Sequence, residues 1–285
     1  MENPPIVILT DFGDTDPYVG IMKGVITKIS PRANTIDLTQ GITPGDLLKG
    51  AVVLWQSIPY FPKGTIYLCV IDPGVGSPRK GIVLETDHGF FIGPDNGLFT
   101  FLLQKKYNVW ELKNQSYQLQ PVTHTFHGRD IFAPAAAYLW NGVSPKDFGP
   151  SIGEPQKLPI PILRINHESI IEGEILYFDQ FGNAITSIGK FHEEKDTLQF
   201  QIWIGTEGKR VIHRNSSVIR IKKNIFIPWA KSFSEIPPNH CAAIIGSSGL
   251  LEIAANRQSA ERLLNLTRGE SIFLINKYKN GVQHG

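Results

Sequence analysis

The sequence has 285 residues, of which 41% are hydrophobic and 19% are charged, and its formal net charge at pH 7 is +2. These values are typical of a globular protein with one large or two modest domains, and they exclude a disordered chain. A net charge so close to zero argues against a surface that binds nucleic acid or acidic lipid through electrostatics. We therefore expect neither nucleic acid nor a membrane among the partners.

The two cysteines, Cys69 and Cys241, lie in apolar runs that are typical of strands. Two cysteines cannot form a disulfide framework, so we expect both to be buried free thiols, as suits a reducing compartment. No apolar stretch approaches the ~20 residues that span a bilayer, and no basic region precedes the first apolar run. These observations predict a cytoplasmic protein.

The first 150 residues alternate between strand and helix patterns. Asp16 is expected to cap a helix that starts at Pro17 and carries an apolar stripe along residues 18–29, and a second helix follows Thr43. This alternation predicts a mainly parallel sheet covered on both faces, an α/β sandwich domain spanning residues 1–150. The predicted strands are residues 6–10, 35–38, 65–71, 81–85 and 90–92.

The pattern changes near residue 150. Residues 149–161 contain four prolines, so we interpret residues 151–165 as a linker. Beyond the linker, β-rich runs separated by turns, with one short helix near residues 255–266, predict a smaller antiparallel β-barrel-like domain over residues 166–285. Its predicted strands are residues 169–177, 198–204, 218–222, 241–245 and 271–275.

Three aspartates follow the first predicted strand, where open α/β sheets bind their ligands. Asp14 and Asp16 are explained equally well as turn and cap residues. Asp11, at the tip of the strand, could accept two hydrogen bonds from a ribose diol. The spacing lacks the glycine and the distal glutamate of a calcium loop, so we predict no metal site.

Two further polar clusters follow predicted elements of the first domain. In residues 71–79, IDPGVGSPR, a tight turn alone could explain Asp72, but the loop could also fold back and place the Arg79 guanidinium against its carboxylate. In residues 123–130, THTFHGRD, His127 stands at the expected start of a helix, where backbone N–H groups favour polar ligands. Neither cluster is a phosphate-binding Walker loop.

The second domain contains two polar turns, FDQFGNA at residues 178–184 and GSSGLLE at residues 246–252. An aromatic ring next to an asparagine, as in Phe181 and Asn183, suits stacking on adenine and hydrogen bonding to its edge. A plain hairpin turn would explain both segments as well. The chain has no Gly-x-Ser-x-Gly, Cys-x-x-Cys or His-Glu-x-x-His motif, so serine hydrolysis, dithiol chemistry and zinc binding have no support.

Six motifs occur together and in one order: TDFGDTD, IDPGVGSPR, GPDNGL, TFHGRD, FDQFGN and SSGLLEIA. In this combination the chain resembles the S-adenosylmethionine hydroxide adenosyltransferases, relatives of fluorinase and chlorinase, over nearly its whole length. The resemblance implies a hydrolase that converts S-adenosyl-L-methionine (SAM) to adenosine and L-methionine through nucleophilic attack of water or hydroxide on ribose C5′. It implies no cofactor beyond the substrate itself.

The resemblance also implies a role for each residue of the site. Asp72, Arg79 and His127 would hold the attacking water or hydroxide, and Asp11 would bind the ribose hydroxyls. Family members form homotrimers whose sites lie between the N-terminal domain of one subunit and the C-terminal domain of the next. The remaining substrate-binding residues would be Phe181 and Asn183 at the adenine, and Asp16, Asp179, Ser247 and Glu252 at the methionine. Ser248 stands where the halogenating relatives have an arginine for the methionine carboxylate.

Three other functions are weighed against hydrolysis. A halide-using adenosyltransferase is disfavoured because the halogenating relatives have an aromatic residue at the position of Asp72 and a hydroxyl at that of Gly128, and a carboxylate would repel halide. A non-catalytic sensor of SAM or adenosine would not need Asp72, Arg79 and His127 together. A dinucleotide oxidoreductase would need a Gly-x-Gly-x-x-Gly turn after the first strand.

Overall fold

The computed structural model describes residues 4–103, 106–166, 170–194, 197–205, 208–222 and 225–276. The chain divides into two compact units, Met1–Leu158 and Pro159–Gly285. The division falls inside the proline-rich stretch of residues 149–161.

Unit 1 contains a six-stranded sheet in the order β2-β1-β3-β5-β4-β6. Strands β2, β1, β3 and β5 run parallel to one another, whereas β4 is antiparallel to both β5 and β6. Only two residues join β4 to β5, too few for the crossover that a parallel pair requires. The elements are β1 (Ile6–Thr10), α1 (Tyr18–Ile29), β2 (Thr35–Thr39), α2 (Leu47–Ser57), β3 (Thr65–Val70), β4 (Gly81–Thr86), β5 (Gly89–Pro94), β6 (Tyr107–Glu111) and α3 (Ala133–Trp140).

Helices cover both faces of this sheet, as the sequence predicts. Met22 and Ile26 of α1 and the alanines of α3 pack in one buried cluster with Ile6 and Ile8 of β1. Because side chains alternate across a strand, Val7 and Leu9 face the opposite side of the sheet. Helix α2 contacts β1, and its buried residues do not belong to the first cluster, so α2 covers this opposite side. Helix α2 fits closely because a Cβ on its Gly50 would overlap Ile71.

The start of α1 differs from the prediction that Asp16 caps it. The helix begins at Tyr18, its N-cap is Pro17, and no side chain caps it. The carbonyl of Pro17 already accepts the first helical hydrogen bond, from Ile21 N–H at 2.9 Å. The helix therefore starts one residue later than predicted, and Asp16 lies exposed before it.

Unit 2 is antiparallel β structure, also as predicted. Its larger sheet has the order β14-β13-β17-β8-β9-β16-β15, with β7 beside β8, and β10, β11 and β12 form a smaller sheet. Hydrogen bonds between Ala230 and Ala243 and between Ala243 and Pro228 join the segment after β14 to β15, which nearly closes the larger sheet into a barrel. The strands are β7 (Leu163–Asn166), β8 (Ile170–Phe178), β9 (Ala184–Gly189), β10 (Phe191–Glu194), β11 (Thr197–Gln201), β12 (Lys209–His213), β13 (Ser217–Ile221), β14 (Ile225–Ile227), β15 (Cys241–Ile245), β16 (Leu250–Ala255) and β17 (Ser271–Asn276).

The helix of unit 2 is shorter than the predicted 255–266. It is α4 (Ala260–Leu264), because β16 extends to Ala255 and the Ser259 hydroxyl caps the helix by accepting from Arg262 N–H at 3.2 Å. At the other end Asn265 adopts a left-handed conformation, which stops the helix.

Both cysteines are free thiols, but only Cys69 is buried. Cys241, the first residue of β15, is half-buried. Burial raises the pKa of both thiols. No helix in the described part of the chain is long and apolar enough to cross a membrane.

Candidate active site

Asp11 and Asp72 follow the carboxyl ends of two neighbouring strands. Strands β1 and β3 are parallel, and Thr10 pairs with Val70, so both aspartates reach the same edge of the sheet. Asp11 Oδ2 accepts a hydrogen bond from Gly45 N–H at 2.8 Å. Burial raises the pKa of Asp11, and the nearby charge of Asp72 adds to that rise. The parallel pairing thus brings both carboxylates to the same edge of the sheet, near enough for the charge of Asp72 to affect Asp11.

The loop after β3 folds back so that Arg79 holds Asp72 with two hydrogen bonds. Arg79 Nε donates to Asp72 Oδ1 at 2.9 Å, and Nη2 donates to Oδ2. The two side chains are only 10% and 5% exposed, so the ion pair is shielded from solvent. The Arg79 guanidinium also lies 5.2 Å from the centre of the Phe132 ring, a cation–π contact. This is the contact that the seven-residue spacing predicts.

His127 completes the cluster. Arg79 Nη2 lies 2.7 Å from His127 Nδ1. Because a guanidinium only donates hydrogen bonds, Nδ1 must accept, and the ring proton of a neutral His127 then lies on Nε2. Burial lowers the pKa of His127, and the adjacent charge of Arg79 lowers it further. His127 is therefore a neutral imidazole whose Nε2–H can donate to a ligand.

Asp130 holds the His127 segment in place. Its carboxylate, almost fully buried, accepts hydrogen bonds from Thr123 N–H at 2.8 Å and from the Thr123 hydroxyl. Arg129 Nε donates to the same carboxylate at 2.6 Å. The Arg129–Asp130 pair therefore organises the loop before the helical segment Gly128–Phe132.

An aromatic pocket of about 300 Å³ lies next to this loop. Phe12, Tyr18 and Phe126 meet edge to face, with ring centres 5.3 to 6.2 Å apart. Gly128 packs against Phe126 and Phe12, so the pocket adjoins the residue after His127. Aromatic faces attract cations. Each ring lies in or near a polar motif of the sequence, but no sequence pattern indicates that the three rings meet.

Asp16 is exposed before α1. Among the described residues, no hydrogen bond or ion pair joins it to Asp72, Arg79 or His127.

In unit 2, Asp179 organises the turn between β8 and β9. Its Oδ1 accepts from Phe181 N–H and Asn183 N–H, both at 2.9 Å, and its Oδ2 accepts from Asn183 Nδ2 at 2.9 Å. Asn183 is buried, whereas the Phe181 ring is 68% exposed. The turn lines a pocket of about 680 Å³. Other lining residues of this pocket include Asn256, Arg257, Gln258 and Arg262.

Glu252 lies on β16 between the two polar turns of unit 2. Burial raises its pKa to about 7, and the charge of Asp179 adds to the shift. Its carboxyl packs directly on Gly246, where a Cβ would overlap it. Ser247 and Ser248 follow in the turn that leads into β16, whereas the Asp179 turn lies near the end of β16, since Ile253 pairs with Ala184.

The described residues of the chain hold no group of three or more His, Cys, Asp or Glu side chains that could bind a metal ion. In unit 1 the structure instead gathers a carboxylate acceptor, a fixed guanidinium and an imidazole donor. Such a set can orient a water molecule and stabilise negative charge that develops on its oxygen.

Comparison with known proteins identifies the family. The chain matches the model of the SAM hydroxide adenosyltransferase N-terminal domain over residues 6–149 and that of the C-terminal domain over residues 173–273. A Thermus thermophilus protein named (R)-S-adenosyl-L-methionine hydrolase is 35% identical, covering 95% of this chain and 99% of its own. A fluorinase from Actinoplanes is 24% identical over 70% of this chain and 76% of its own.

A solved structure agrees with these sequence matches. The crystal structure of an uncharacterized conserved protein from Thermotoga maritima matches with a TM-score of 0.79 and 30% identity, and covers 94% of this chain and 99% of that one. The fold and both domain models therefore lead to one conclusion. The chain belongs to the SAM hydroxide adenosyltransferase family.

Proposed function

We propose that this protein hydrolyses S-adenosyl-L-methionine to adenosine and L-methionine. The observation that carries the proposal is the contact of Asp72, Arg79 and His127 at one edge of the sheet. Relatives named (R)-S-adenosyl-L-methionine hydrolase support the same reaction. From their name we infer that the preferred substrate is the form of SAM with the R configuration at sulfur.

The proposed reaction is a single displacement at carbon. The water oxygen forms a bond to ribose C5′ while the C5′–S bond breaks, and the electron pair of that bond passes to the methionine sulfur. A sulfonium is already an activated leaving group, so methionine leaves without protonation. One proton is released, which passes from the attacking water toward Asp72 and then to solvent.

Activating the water is the difficult part of the reaction. Water has a pKa near 15.7 and an ordinary carboxylate one near 3.9, so full proton transfer in advance would cost about 16 kcal/mol. Asp72 therefore acts by orienting the water and accepting its proton late, during attack. The Arg79 guanidinium and the Nε2–H of His127 stabilise the developing hydroxide. Holding the oxygen in line about 3 to 3.5 Å from C5′ contributes several kcal/mol more.

The substrate would be held by residues of both units. We propose that Asp11 binds the ribose hydroxyls and that Asn183 and Phe181 bind adenine. The proposed methionine contacts are Asp16, Asp179, Ser247, Ser248 and Glu252. Four carboxylates in this set suit a cationic substrate.

The active assembly proposed for this chain is a homotrimer. Each site would combine the N-terminal domain of one subunit with the C-terminal domain of the next, which would explain why site residues come from both domains. We also propose that the reaction needs no cofactor, because the substrate carries its own leaving group. The cytoplasm is the proposed location.

The decisive experiment is incubation of the protein with separated R and S sulfonium forms of SAM in ¹⁸O-labelled water. We expect the R form to give adenosine with the label in its 5′ hydroxyl and unlabelled methionine. Tight binding without adenosine would instead indicate a sensor. A 5′-chloro-5′-deoxyadenosine product in the presence of chloride would indicate a halide-using enzyme.

A further inference from the structure

The motif GPDNGL, residues 93–98, has no part in the mechanism above, yet it contacts both ends of the loop that carries Asp72 and Arg79. At the start of that loop, Asn96 Nδ2 donates to the carbonyl oxygen of Ile71 at 2.8 Å. At its end, Asp95 N–H donates to the carbonyl oxygen of Lys80 at 2.9 Å. The eight residues between these two anchors include the whole of the Asp72–Arg79 ion pair.

The Asp72 loop needs such external support because its own hydrogen bonds are short-range. Inside it, Val75 N–H donates to Asp72 O at 3.2 Å and Ser77 N–H donates to Gly74 O at 3.1 Å, which makes two local turns. Neither bond fixes the direction in which the loop leaves β3. That direction depends on the peptide group of Ile71, whose oxygen Asn96 holds.

The side chain of Asn96 is itself fixed. Its Oδ1 accepts a hydrogen bond from Leu98 N–H at 3.3 Å, so the amide cannot turn without losing a second contact. The turn is anchored on its far side as well, because Asp95 Oδ1 accepts from Gln156 N–H at 2.7 Å. At Gly97, where φ is +95°, a Cβ would press on Leu158. The turn is thus a rigid support that ties the Asp72 loop to the last residues of unit 1.

We propose that Asn96 is a positioning residue for the hydrolysis, which sets the place of Asp72 and Arg79 by holding the carbonyl of Ile71. This inference rests on the proposed function. Among the described residues, the hydrogen bonds of the Asn96 side chain go to Ile71 O and Leu98 N–H and not to Asp72 or Arg79, so it acts through the backbone at the start of the loop. A shift of about 1 Å in a reacting group can lower a rate by about 100-fold.

The test compares Asn96→Asp with Asn114→Asp. Asn114 is a matched control in the same unit, because its Nδ2 donates to a backbone carbonyl at 2.8 Å and its Oδ1 accepts a backbone N–H two residues on at 3.1 Å. Both substitutions keep the acceptor and remove the donor. We expect N96D to lower kcat about 10- to 100-fold with KM changed less than about threefold, and N114D to leave both near wild type.

A second readout does not depend on turnover. We expect the pKa of His127, followed by NMR and assigned with a His127→Gln variant, to rise toward 6.5 in Asn96→Ala but not in Asn114→Ala. Burial would still lower this pKa, but the Arg79 charge, which lowers it further, would no longer lie against the ring. The two alanine variants add no charge, and they also serve for the kinetic comparison if N96D does not fold. If the wild type does not hydrolyse SAM, the proposed function fails, but the NMR comparison still decides the positioning role.

The positioning role is overturned if the folded Asn96 variants keep the His127 pKa of the wild type and, where hydrolysis is measurable, a kcat within about twofold of it. It is overturned equally if the Asn114 variants lose as much kcat as the Asn96 variants, since the effect would then be general destabilisation. Melting temperatures of all four variants are recorded alongside.

Discussion

At the scale of single residues, the ion pair between Asp72 and Arg79 decides what each group can do. Both carboxylate oxygens of Asp72 already accept from Arg79, which leaves its remaining lone pairs to orient a water molecule. Asp72→Asn places an NH₂ group where one of these acceptors stood. We expect this substitution to lower the single-turnover rate by about 10² to 10⁴, with SAM affinity largely kept.

The matched control for this prediction is Asp37→Asn, which breaks an exposed ion pair with Lys23 on the same unit. Rates come from rapid-quench single turnovers and affinities from calorimetry. Turnover near the wild-type value in D72N would remove Asp72 from the mechanism. A rate loss in D37N of the same size would show that the assay reports stability instead.

The pH dependence follows from the direction of the His127 pKa shift. Burial and Arg79 lower this pKa below its ordinary value of 6.5, so His127 is neutral at pH 7. Protonation would aim an Nδ1–H at Arg79 Nη2 and break their hydrogen bond. We therefore expect kcat/KM to be insensitive to His127 between pH 8 and 6.5 and to fall only at pH values below 6.5.

The same group links pH to stability. Because the unfolded chain binds this proton more readily than the folded one, the contribution of His127 to the free energy of unfolding is complete above pH 6.5 and declines as the pH falls through the lowered pKa. An NMR titration of His127 measures the shift directly. A pKa above 6.5, or a rate that rises on acidification, would contradict the neutral tautomer assigned here.

At the scale of elements, the close approach of two loops depends on Gly76. Its φ is +78°, and a Cβ there would overlap the backbone oxygen of His124. Gly142 has a similar φ of +92°, but a Cβ added there would have no atom within 4 Å. A substitution at Gly142 therefore measures the cost of backbone strain without crowding. We expect Gly142→Ala to cost about 1 kcal/mol of stability and to leave the rate unchanged.

Gly76→Ala adds crowding to the same backbone cost and pushes the Asp72 loop away from the His127 segment. We expect a further loss of about 1 to 3 kcal/mol and a fall in kcat, measured by denaturant unfolding and steady-state kinetics. Equal stability and equal rates in the two alanine variants would show that the loops do not need this close approach.

Local sequence patterns predict the elements that place the catalytic cluster. The short β-branched runs of β1 and β3 and the polar residues that follow them indicate both strands and the edge where Asp11 and Asp72 meet. Arg79 and Asp72 are only seven residues apart in the sequence, so their spacing alone suggests the contact. The contact between His127 and Arg79 spans 48 residues, and no local sequence pattern predicts it.

Other elements lack a local signal. Strand β9 is buried at every position, so it shows no alternation of polar and apolar residues. Asp11 bonds to Gly45 and Asn96 to Ile71 across 34 and 25 residues, and such pairs are set by how the loops pack on the sheet. Asp16 was predicted as a cap because its residue type and the following proline favour one, but the backbone starts the helix later.

At the scale of the whole molecule, a net charge of +2 does not describe the local charge around particular carboxylates. Asp11 and Asp72 meet at one edge of unit 1, and Asp179 and Glu252 interact in unit 2. Arg79 already binds Asp72, but a further cation would relieve the repulsion that helps to raise the pKa of Asp11 and of Glu252, and SAM carries a sulfonium and an ammonium. Net charge therefore speaks against nucleic acid as a partner but gives no information about a cationic substrate.

The proposed trimer makes a prediction that no single variant can test. If each site takes its N-terminal domain from one subunit and its C-terminal domain from another, a subunit with Asp72→Asn and a subunit with Asn183→Ala can together build an intact site. If equal amounts of the two subunits assemble at random, about a quarter of the sites combine an unaltered N-terminal domain with an unaltered C-terminal domain. We expect the co-expressed, doubly tagged mixture to recover about 25% of wild-type activity, although each variant alone is inactive.

A site built within one chain gives the opposite result, because every chain then carries one defect and no mixture restores activity. Co-expression of two differently tagged copies of D72N controls for the tags and must also stay inactive. Light scattering gives the mass of the complex, and sequential purification of a sample on the two tags shows whether mixed trimers formed. Mixed trimers without recovered activity would therefore place the whole site in a single subunit, and the trimer would then serve stability instead of catalysis.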